Sequence, residues 1–371
     1  MAVTSTAGLG VYADRLDRAQ KELGAQGQDL LLVGPSSDFF YLTGHNAHAS
    51  ERMTLLAVPR AGKPFAVVPS FEATLMADRW EIIELHAWPE TQEPADVAAA
   101  KIGAADGKTV AVGQQLWATF LIRLQNALPD AKWVDATPVL RELRMIKDAR
   151  EIELMHEAGR RTDDAWHAFI EEPLSGKTEQ QALQRLTKLT EERGLKVEWG
   201  LCASGPNSAS PHHQSSERVI QQDDAVVFDW GGTIEGYNSD VTRTVHVGEP
   251  SEEFRKVYEI VGRANQATLD AVRPGVACQE LDRVARELIS DAGYGDAFLH
   301  RVGHGLGLDV HEEPYLVDGN DLPLAEGMVF SDEPGIYLAG RFGVRTEDAV
   351  VCTADGGMRL NEATRELIVV G

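Results

Sequence analysis

Two acidic residues, Asp229 and Asp240, lie at the two ends of a predicted β-hairpin. Each adjoins a run rich in β-branched and aromatic residues, and a glycine-rich stretch separates the runs. A turn centred between Ile234 and Glu235 would place Asp229 opposite Asp240, where facing Cβ atoms lie roughly 4.5–5.5 Å apart. Two buried carboxylates at that separation repel each other unless one is protonated or a cation lies between them. We therefore interpret this pair as cation ligands.

A second acidic pair repeats the arrangement. Glu333 and Glu347 are symmetric about Gly340, within another stretch that is typical of strand, turn and strand. In a chain with 58 acidic residues, any single pair could be ordinary surface charge. Two matched pairs instead favour a site built on a doubled structural unit.

Histidines supply the remaining candidate ligand. His304 lies between Gly303 and Gly305, with Gly307 beyond, and glycines allow the backbone to approach a bound group closely. One imidazole and four carboxylates form a hard, oxygen-rich set, which favours Mn²⁺, Co²⁺ or Zn²⁺ over copper. Bridging carboxylates usually indicate two metal ions about 3.5–4 Å apart.

The first part of the chain alternates between helical and strand patterns, which predicts an α/β domain over residues 1–142. We predict helices at 12–25, 72–78, 94–102 and 116–127, and strands at 30–33, 39–43, 54–58, 65–68, 109–112 and 133–134.

Residues 143–371 show two helices followed by a hairpin, and then the same order again. The predicted helices are 149–170, 178–193, 251–272 and 278–292, with a strand at 197–203. Thr178 and Gln181 have the spacing of a capping box at the start of the second helix. The repeated order predicts an α+β domain with internal pseudo-two-fold symmetry.

Composition excludes several classes of protein. The length of 371 residues favours two domains, and a net charge of −23 argues against nucleic acid or an anionic membrane as partner. The three cysteines are widely spaced, which is typical of a reducing compartment. With neither a signal peptide nor an apolar run of about 20 residues, the sequence predicts a soluble cytoplasmic protein.

The sequence resembles the Xaa-Pro peptidases of the pita-bread metallopeptidases, prolidase and aminopeptidase P, over nearly its whole length. The resemblance lies in five short motifs that contain Asp229, Asp240, His304, Glu333 and Glu347. It implies that these five residues bind two divalent metal ions, with Mn²⁺ the first candidate. It also implies a non-catalytic N-terminal domain, a pita-bread catalytic domain and a homodimer.

The resemblance assigns roles to four further positions. It implies that His311 contacts the scissile carbonyl and that His212 lies near the substrate, although His213 is an alternative to His212; one or both of His311 and His212 would stabilise the oxyanion. Glu333 would carry the proton to the leaving nitrogen, and Arg345 would orient a ligating aspartate beside the substrate. Segment 35–44 resembles one that approaches the active site in dimers of the family, so that Asp38 could pair with the ammonium group of the substrate.

The expected activity is hydrolysis of an Xaa-Pro peptide bond, with a dipeptidase as the first choice and an aminopeptidase acting on longer peptides as the alternative. A dipeptidase requires a cation for the substrate's terminal carboxylate, and no arginine follows His311 closely. Arg301, Arg341 and Arg345 are the alternatives. A creatinase-like enzyme and a non-enzymatic binding protein are disfavoured because the full ligand set is retained.

Overall fold

A computed structural model describes residues 7–371 of the chain. Internal contacts divide it into two compact units, the first ending at Arg144 and the second spanning Met145–Gly371. This division lies two residues beyond the boundary expected from the sequence. Within the described residues, no helix is both long and apolar enough to cross a membrane.

The first unit is a mixed six-stranded sheet with helices. Its helices are α1 (Leu9–Ala25), α2 (Ser37–Thr43), α3 (Pro94–Ile102), α4 (Ala118–Ala127) and α5 (Thr137–Arg144), with a 3₁₀ helix at Ala73–Arg79. Its strands are β1 (Leu30–Val33), β2 (Leu55–Pro59), β3 (Phe65–Pro69), β4 (Glu84–Trp88), β5 (Thr109–Val112) and β6 (Lys132–Asp135). The sheet order is β4-β3-β2-β1-β5-β6, and β2 pairs antiparallel with both of its neighbours.

The strand predicted at 39–43 is wrong, because this segment forms helix α2. Its aromatic run favours a strand by composition. The Ser36 side chain, however, accepts a hydrogen bond from the backbone N–H of Phe39, and Gly44 ends the helix in the left-handed conformation at φ 67°. Both capping signals are visible in the sequence, and they outweigh the strand propensity of the residues between them.

The second unit contains four long helices and thirteen strands. The helices are α6 (Ala149–Phe169), α7 (Glu179–Glu191), α8 (Glu252–Ala271) and α9 (Cys278–Asp291), with 3₁₀ helices at Gly205–Ala209 and Gly295–Ala297. The strands of its first half are β7 (Gly200–Ser204), β8 (Ala225–Trp230), β9 (Thr233–Ile234), β10 (Tyr237–Asn238) and β11 (Val241–Val247). Those of its second half are β12 (Gly303–Gly305), β13 (Glu312–Leu316), β14 (Val329–Asp332), β15 (Gly335–Leu338), β16 (Phe342–Arg345), β17 (Asp348–Thr353), β18 (Gly356–Arg359) and β19 (Ile368–Val370).

The order of two helices followed by strands occurs twice in this unit, as predicted. Thr178 and Gln181 form the expected capping box before α7. The first half contributes the sheet β19-β11-β8-β7 and the second half the sheet β13-β12-β14-β17-β18, with β19 joining the first from the end of the chain. A backbone bridge from Thr242 to Glu347 connects the two halves next to the candidate ligands.

The predicted pairing of Asp229 with Asp240 is wrong by two residues. Asp229 lies opposite Thr242, because the turn is formed by Glu235 and Gly236, both at positive φ (49° and 88°). Such a two-residue turn suits the right-handed twist of a hairpin. Asp229 and Asp240 are therefore diagonal neighbours, which is a longer separation than that of a facing pair.

The second hairpin is centred where the sequence predicted. Gly335 pairs with Arg345 and Leu338 with Phe342, so that Gly340 is its midpoint. Glu333 and Glu347 lie two residues beyond the paired region at each side. Both therefore emerge at the same end of this hairpin.

Candidate metal centre

Three buried side chains form a group with the geometry of a metal site. The ligand atoms of Asp240, His304 and Glu347 all lie within 4.8 Å of one another. Asp240 directly precedes β11, His304 is in β12, and Glu347 lies between β16 and β17. The two halves of the second unit therefore both contribute to the group.

The other two predicted ligands lie beside this group. Nε2 of His304 is 3.3 Å from Oε1 of Glu333 and 3.8 Å from Oδ2 of Asp240. Asp229 lies in β8 and lines the same cavity. The structure thus brings together all five residues that the sequence predicted as ligands.

The orientation of His304 leaves the lone pair of one ring nitrogen available to bind a metal ion. Its Nδ1 lies 3.1 Å from the carbonyl oxygen of Gly305 and donates to it, so Nε2 carries the lone pair. The backbone N–H of His304 donates to the hydroxyl of Ser331, which is 3.3 Å from Oε1 of Glu333. Ser331 therefore links the positions of the imidazole and the carboxylate.

The glycines beside His304 are required by close packing of the backbone. A Cβ atom at Gly303 would lie 1.9 Å from the carbonyl oxygen of Ser331, and one at Gly305 would lie 2.3 Å from that of Glu313. The strand pairing also shifts register between His304 and Gly305. Glycine at these two positions thus lets β12 lie tightly between its neighbours, which positions the imidazole.

The carboxylates of the site are difficult to ionise together. Burial, reinforced by neighbouring carboxylates, raises the pKa values of Asp240 and Glu347 well above their ordinary range. Burial likewise raises the pKa of Glu333 to about 7, although Arg345 opposes the shift. Burial lowers the pKa of His304 to about 3, so this imidazole is neutral at physiological pH.

Arg345 joins two of the predicted ligands through hydrogen bonds. Its NH2 group donates to Oδ2 of Asp229 at 2.5 Å, and its Nε donates to the hydroxyl of Thr242 at 3.0 Å. Thr242 in turn donates to Oε2 of Glu347 at 2.5 Å. The NH1 group of Arg345 donates to the hydroxyl of Tyr337 at 2.8 Å. This buried guanidinium is thus fully engaged beside the site, where the sequence placed it.

Sequence reasoning missed Thr242, Tyr337 and His300 as members of this network. His300 lies 2.8 Å from the Tyr337 hydroxyl through Nε2, while its Nδ1 lies 2.7 Å from the carbonyl oxygen of Arg301. The position of Thr242, two residues after Asp240 on a strand, was a usable signal because alternate strand residues share a face.

A cavity of about 890 Å³ opens onto the five predicted ligands. Besides them it is lined by Trp199, Gly200, Leu201, Pro211, His212, Gln214, His300, Arg301, Val310, His311, Val317 and Arg345. His212 and His311 therefore face the same space as the ligands, and the ring of His311 packs against that of His304 at 4.0 Å between centroids. His213, the alternative to His212, instead hydrogen-bonds the buried carboxylate of Glu179 at 2.9 Å.

Asp38 and Arg341 lie outside this cavity. Asp38 is buried in the first turn of α2, and Arg144 of the same unit donates to its Oδ1 at 2.6 Å. Arg341 is exposed and pairs with Glu253. All the residues that line the cavity belong to the second unit.

The site fits divalent metal ions on its own chemistry. Asp229 Oδ1 is buried without a hydrogen-bond donor among the described residues. Four carboxylates and a neutral imidazole converge where burial disfavours negative charge, so cations would relieve their repulsion. The oxygen-rich set also matches the preference of hard or borderline divalent metals.

Comparison with known proteins identifies the family. The sequence pattern of metallopeptidase family M24 matches residues 153–354, and that of the creatinase/prolidase N-terminal domain matches residues 15–146. The chain belongs to metallopeptidase family M24, whose members depend on divalent metal ions, and it is a hydrolase. Its fold is accordingly a creatinase/prolidase N-terminal domain followed by a pita-bread catalytic domain.

Individual relatives match over nearly the whole length. The probable dipeptidase PepE of Mycobacterium tuberculosis is 41% identical over 366 residues, covering 97% of each chain. The crystal structure of prolidase from Thermococcus sibiricus is 40% identical with a TM-score of 0.92, covering 97% of this chain and 99% of that one. The X-Pro aminopeptidase from Thermotoga maritima is 30% identical with a TM-score of 0.84, covering 96% and 99%.

Proposed function

We propose that this hydrolase is an Xaa-Pro dipeptidase. The observation that carries the proposal is the set of five converging candidate ligands at a cavity that is also lined by Arg301, whose guanidinium has no hydrogen-bond partner among the described residues. Relatives named dipeptidase and prolidase support the choice of a dipeptidase. An enzyme acting on longer peptides would not need a cation inside the cavity.

The ligands would hold two divalent metal ions, with Mn²⁺ as the first choice and Co²⁺ or Zn²⁺ as alternatives. Asp229, Asp240, His304, Glu333 and Glu347 supply the donor atoms. Such ions lower the pKa of bound water and polarise the carbonyl group that is attacked.

The cavity histidines and Glu333 would perform the remaining steps. His311 and His212 would donate hydrogen bonds to the carbonyl oxygen as it gains negative charge. Burial lowers the pKa of His311, so this imidazole is a neutral donor at physiological pH. Glu333, whose Oε1 lies 3.3 Å from Nε2 of His304, would accept a proton and pass it to the leaving nitrogen.

Arg301 is the candidate partner for the terminal carboxylate of the dipeptide. Its guanidinium lies 4.3 Å from the centroid of the Tyr315 ring, and the residue lines the cavity. Arg345 is engaged by Asp229, Thr242 and Tyr337, and Arg341 lies outside the cavity. Of the three arginines considered from the sequence, Arg301 is therefore our choice for the residue that would select a free carboxylate.

A separate proposal concerns Asp38 and the length of the substrate. In the proposed dimer the carboxylate of Asp38 would approach the active site of the partner subunit and restrict extension of the substrate at the amino end, so that Asp38→Ala would raise KM for dipeptides, spare kcat and relax discrimination against tripeptides. Arg144 already pairs with this carboxylate. A lower melting temperature with unchanged KM and unchanged discrimination would instead mean that Asp38 serves only the ion pair.

The basic test combines metal content with activity. We expect the purified protein to contain divalent metal and to hydrolyse Ala-Pro, and a chelator to abolish hydrolysis until metal is restored. Asp240→Ala and Glu347→Ala are each expected to abolish hydrolysis and lower the metal content measured by elemental analysis. Full activity of either variant with normal metal content would contradict the two-metal site.

Arg301 can be tested by comparing substrates that differ only at the carboxyl end. Arg301→Gln should lower kcat/KM for Ala-Pro by about 10-fold or more, the usual scale for a lost charged contact, but should leave Ala-Pro-amide unchanged. Arg341→Gln is the matched control, because its guanidinium is outside the cavity. Equal losses on both substrates would remove Arg301 from carboxylate selection.

We further propose that the enzyme is a cytoplasmic homodimer. The support for a reducing compartment is that Cys202, Cys278 and Cys352 are all buried and unpaired in the part of the chain that the structure describes. The dimer rests on the family resemblance, and the mass of the purified protein in sedimentation analysis tests it.

A further inference from the structure

The side chain of Glu179 accepts hydrogen bonds from four residues of the segment 204–216. Glu179 is the first residue of α7 and is completely buried. The donors are the backbone N–H and hydroxyl of Ser204 at 2.7 and 2.8 Å, Nδ2 of Asn207 at 3.0 Å, Nε2 of His213 at 2.9 Å, and the backbone N–H and hydroxyl of Ser216 at 2.9 and 2.7 Å. One buried carboxylate thus fixes both ends of this segment.

These bonds keep the carboxylate charged inside the protein. Burial alone would raise the pKa of Glu179, but the hydrogen bonds from Ser216, Asn207 and Ser204 outweigh it and lower the pKa to about 2. Moving the segment would leave a buried charge without donors, which is costly. The negative charge also lies at the N-terminus of a helix, where the helix dipole favours it.

Residues of the segment 204–216 line one side of the cavity. His212 and Gln214, on either side of His213, both line that cavity. Two further hydrogen bonds attach the segment to residues near the second hairpin. Arg345 donates to the carbonyl oxygen of Pro211 at 3.3 Å, and the backbone N–H of Gly343 donates to the Ser208 hydroxyl at 2.8 Å. His212 is therefore held between one neighbour bound to Glu179 and another bound to Arg345.

We propose that Glu179 is a positioning residue for the substrate: through the segment 204–216 it holds His212 in the cavity. Glu179 itself does not line the cavity, so it acts on the reaction only through this segment. The inference rests on the proposed function, because His212 matters only if the cavity binds a peptide.

Glu179→Gln is a sharp test because it preserves the shape of the side chain. Oε1 accepts from the N–H of Ser204 and Oε2 from that of Ser216. A glutamine amide would therefore face a backbone N–H with its own NH₂ group in either orientation. We expect a loss of about 10-fold or more in kcat/KM for Ala-Pro, since small displacements of positioning groups cost up to about 100-fold. Metal content should be unchanged.

The matched control is Glu191→Gln, which makes the same charge change on an exposed residue of the same helix. It should leave kcat/KM unchanged. An equal loss in Glu191→Gln would mean that removing any carboxylate from this helix lowers activity, and would contradict a specific role for Glu179.

A double-mutant cycle distinguishes positioning from a merely structural role. In a His212→Ala background, Glu179→Gln should cause no further loss beyond about 2-fold, because coupled residues are not additive. If Glu179→Gln lowers kcat/KM by the same factor in the wild type and in the His212→Ala background, the proposal is overturned. If Glu179→Gln does not fold, Ser216→Ala, which keeps the carboxylate, replaces it in the same cycle with the same criterion.

Hydrogen exchange supplies a readout that needs no substrate. Backbone amides of 204–216 should exchange about 10-fold or more faster in Glu179→Gln than in the wild type, while the metal-binding strands are unchanged. If the wild type fails to cleave Xaa-Pro peptides but this exchange difference is found, the proposed function fails and the anchoring stands. Unchanged exchange in the segment would refute the anchoring itself.

Discussion

Individual side chains in this site acquire their properties from burial and from one another. Oε1 of Glu333 and Nε2 of His304 are only 3.3 Å apart. Burial nevertheless shifts the two pKa values in opposite directions, to about 7 for Glu333 and to about 3 for His304. At neutral pH the imidazole is therefore uncharged, with Nδ1 donating to Gly305 and the lone pair on Nε2. The two neighbouring groups change protonation state in different pH ranges.

His311 should behave as a catalyst and not as a ligand. His311→Ala is expected to retain its metal but to lose about 100-fold in kcat, the scale found for one oxyanion donor. His156→Ala, which removes an exposed histidine of α6, is the control. The measurement is kcat together with metal content. A parallel loss of metal would show that His311 belongs to the ligand set.

At the scale of elements, the site depends on the hydrogen bonds between strand β11 and the segment that follows strand β16. The carbonyl oxygen of Thr242 accepts from the backbone N–H of Glu347 at 3.1 Å, and the Thr242 side chain donates to the Glu347 carboxylate at 2.5 Å. One residue thus fixes both the backbone and the carboxylate of a predicted ligand. Arg345 extends the connection to β8 through Asp229.

Removing only the hydroxyl of Thr242 should weaken metal binding. Thr242→Val leaves Nε of Arg345 and Oε2 of Glu347 without their shared partner, and we expect metal affinity to fall by about 10- to 100-fold. Thr242→Ser should retain wild-type affinity. Titration calorimetry measures the effect, and Thr268→Val, another buried threonine, controls for a general loss of stability. Equal affinities in the valine and serine variants would contradict this role.

The sequence specified the candidate ligands better than it specified their geometry. Glycines around His304 and the centring of the second hairpin on Gly340 are local signals, and both agreed with the structure. The register of the first hairpin did not, because it depends on Glu235 adopting positive φ, which is uncommon for a residue other than glycine. The spacing of Thr242 from Asp240 was a local signal, but its contact with Glu347 is set by packing between distant parts of the chain, as is the contact of Tyr337 with His300.

For the whole molecule, protonation would compete with metal binding at the carboxylates that are predicted to be ligands. Glu333 has its pKa raised from 4.5 to about 7 in the metal-free fold, so its ionisation makes that fold progressively less stable as pH rises through this window. Asp240 and Glu347 act in the same direction. His304, with a pKa of about 3, is already neutral and does not compete above about pH 5.

Metal affinity should therefore increase with pH. We expect the dissociation constant for Mn²⁺ to fall between pH 5 and 7 by up to about 10-fold per pH unit for each proton released. The rise in melting temperature on adding Mn²⁺ should accordingly be larger at pH 8 than at pH 6. Calorimetry in buffers of different ionisation enthalpy counts the protons, and a count of zero at pH 6 would contradict the shift at Glu333.

The division of the ligands between the two halves has a consequence during synthesis. The ribosome releases Asp229 and Asp240 before His304, Glu333 and Glu347, at a rate of roughly 5–20 residues per second. In the nascent chain the first two acids are therefore without their partners and remain hydrated. The metal centre can form only after α8, α9 and the strands that follow have been translated and have folded onto the first half. Metal bound by these five predicted ligands would therefore load only after the last of them, Glu347, has been translated.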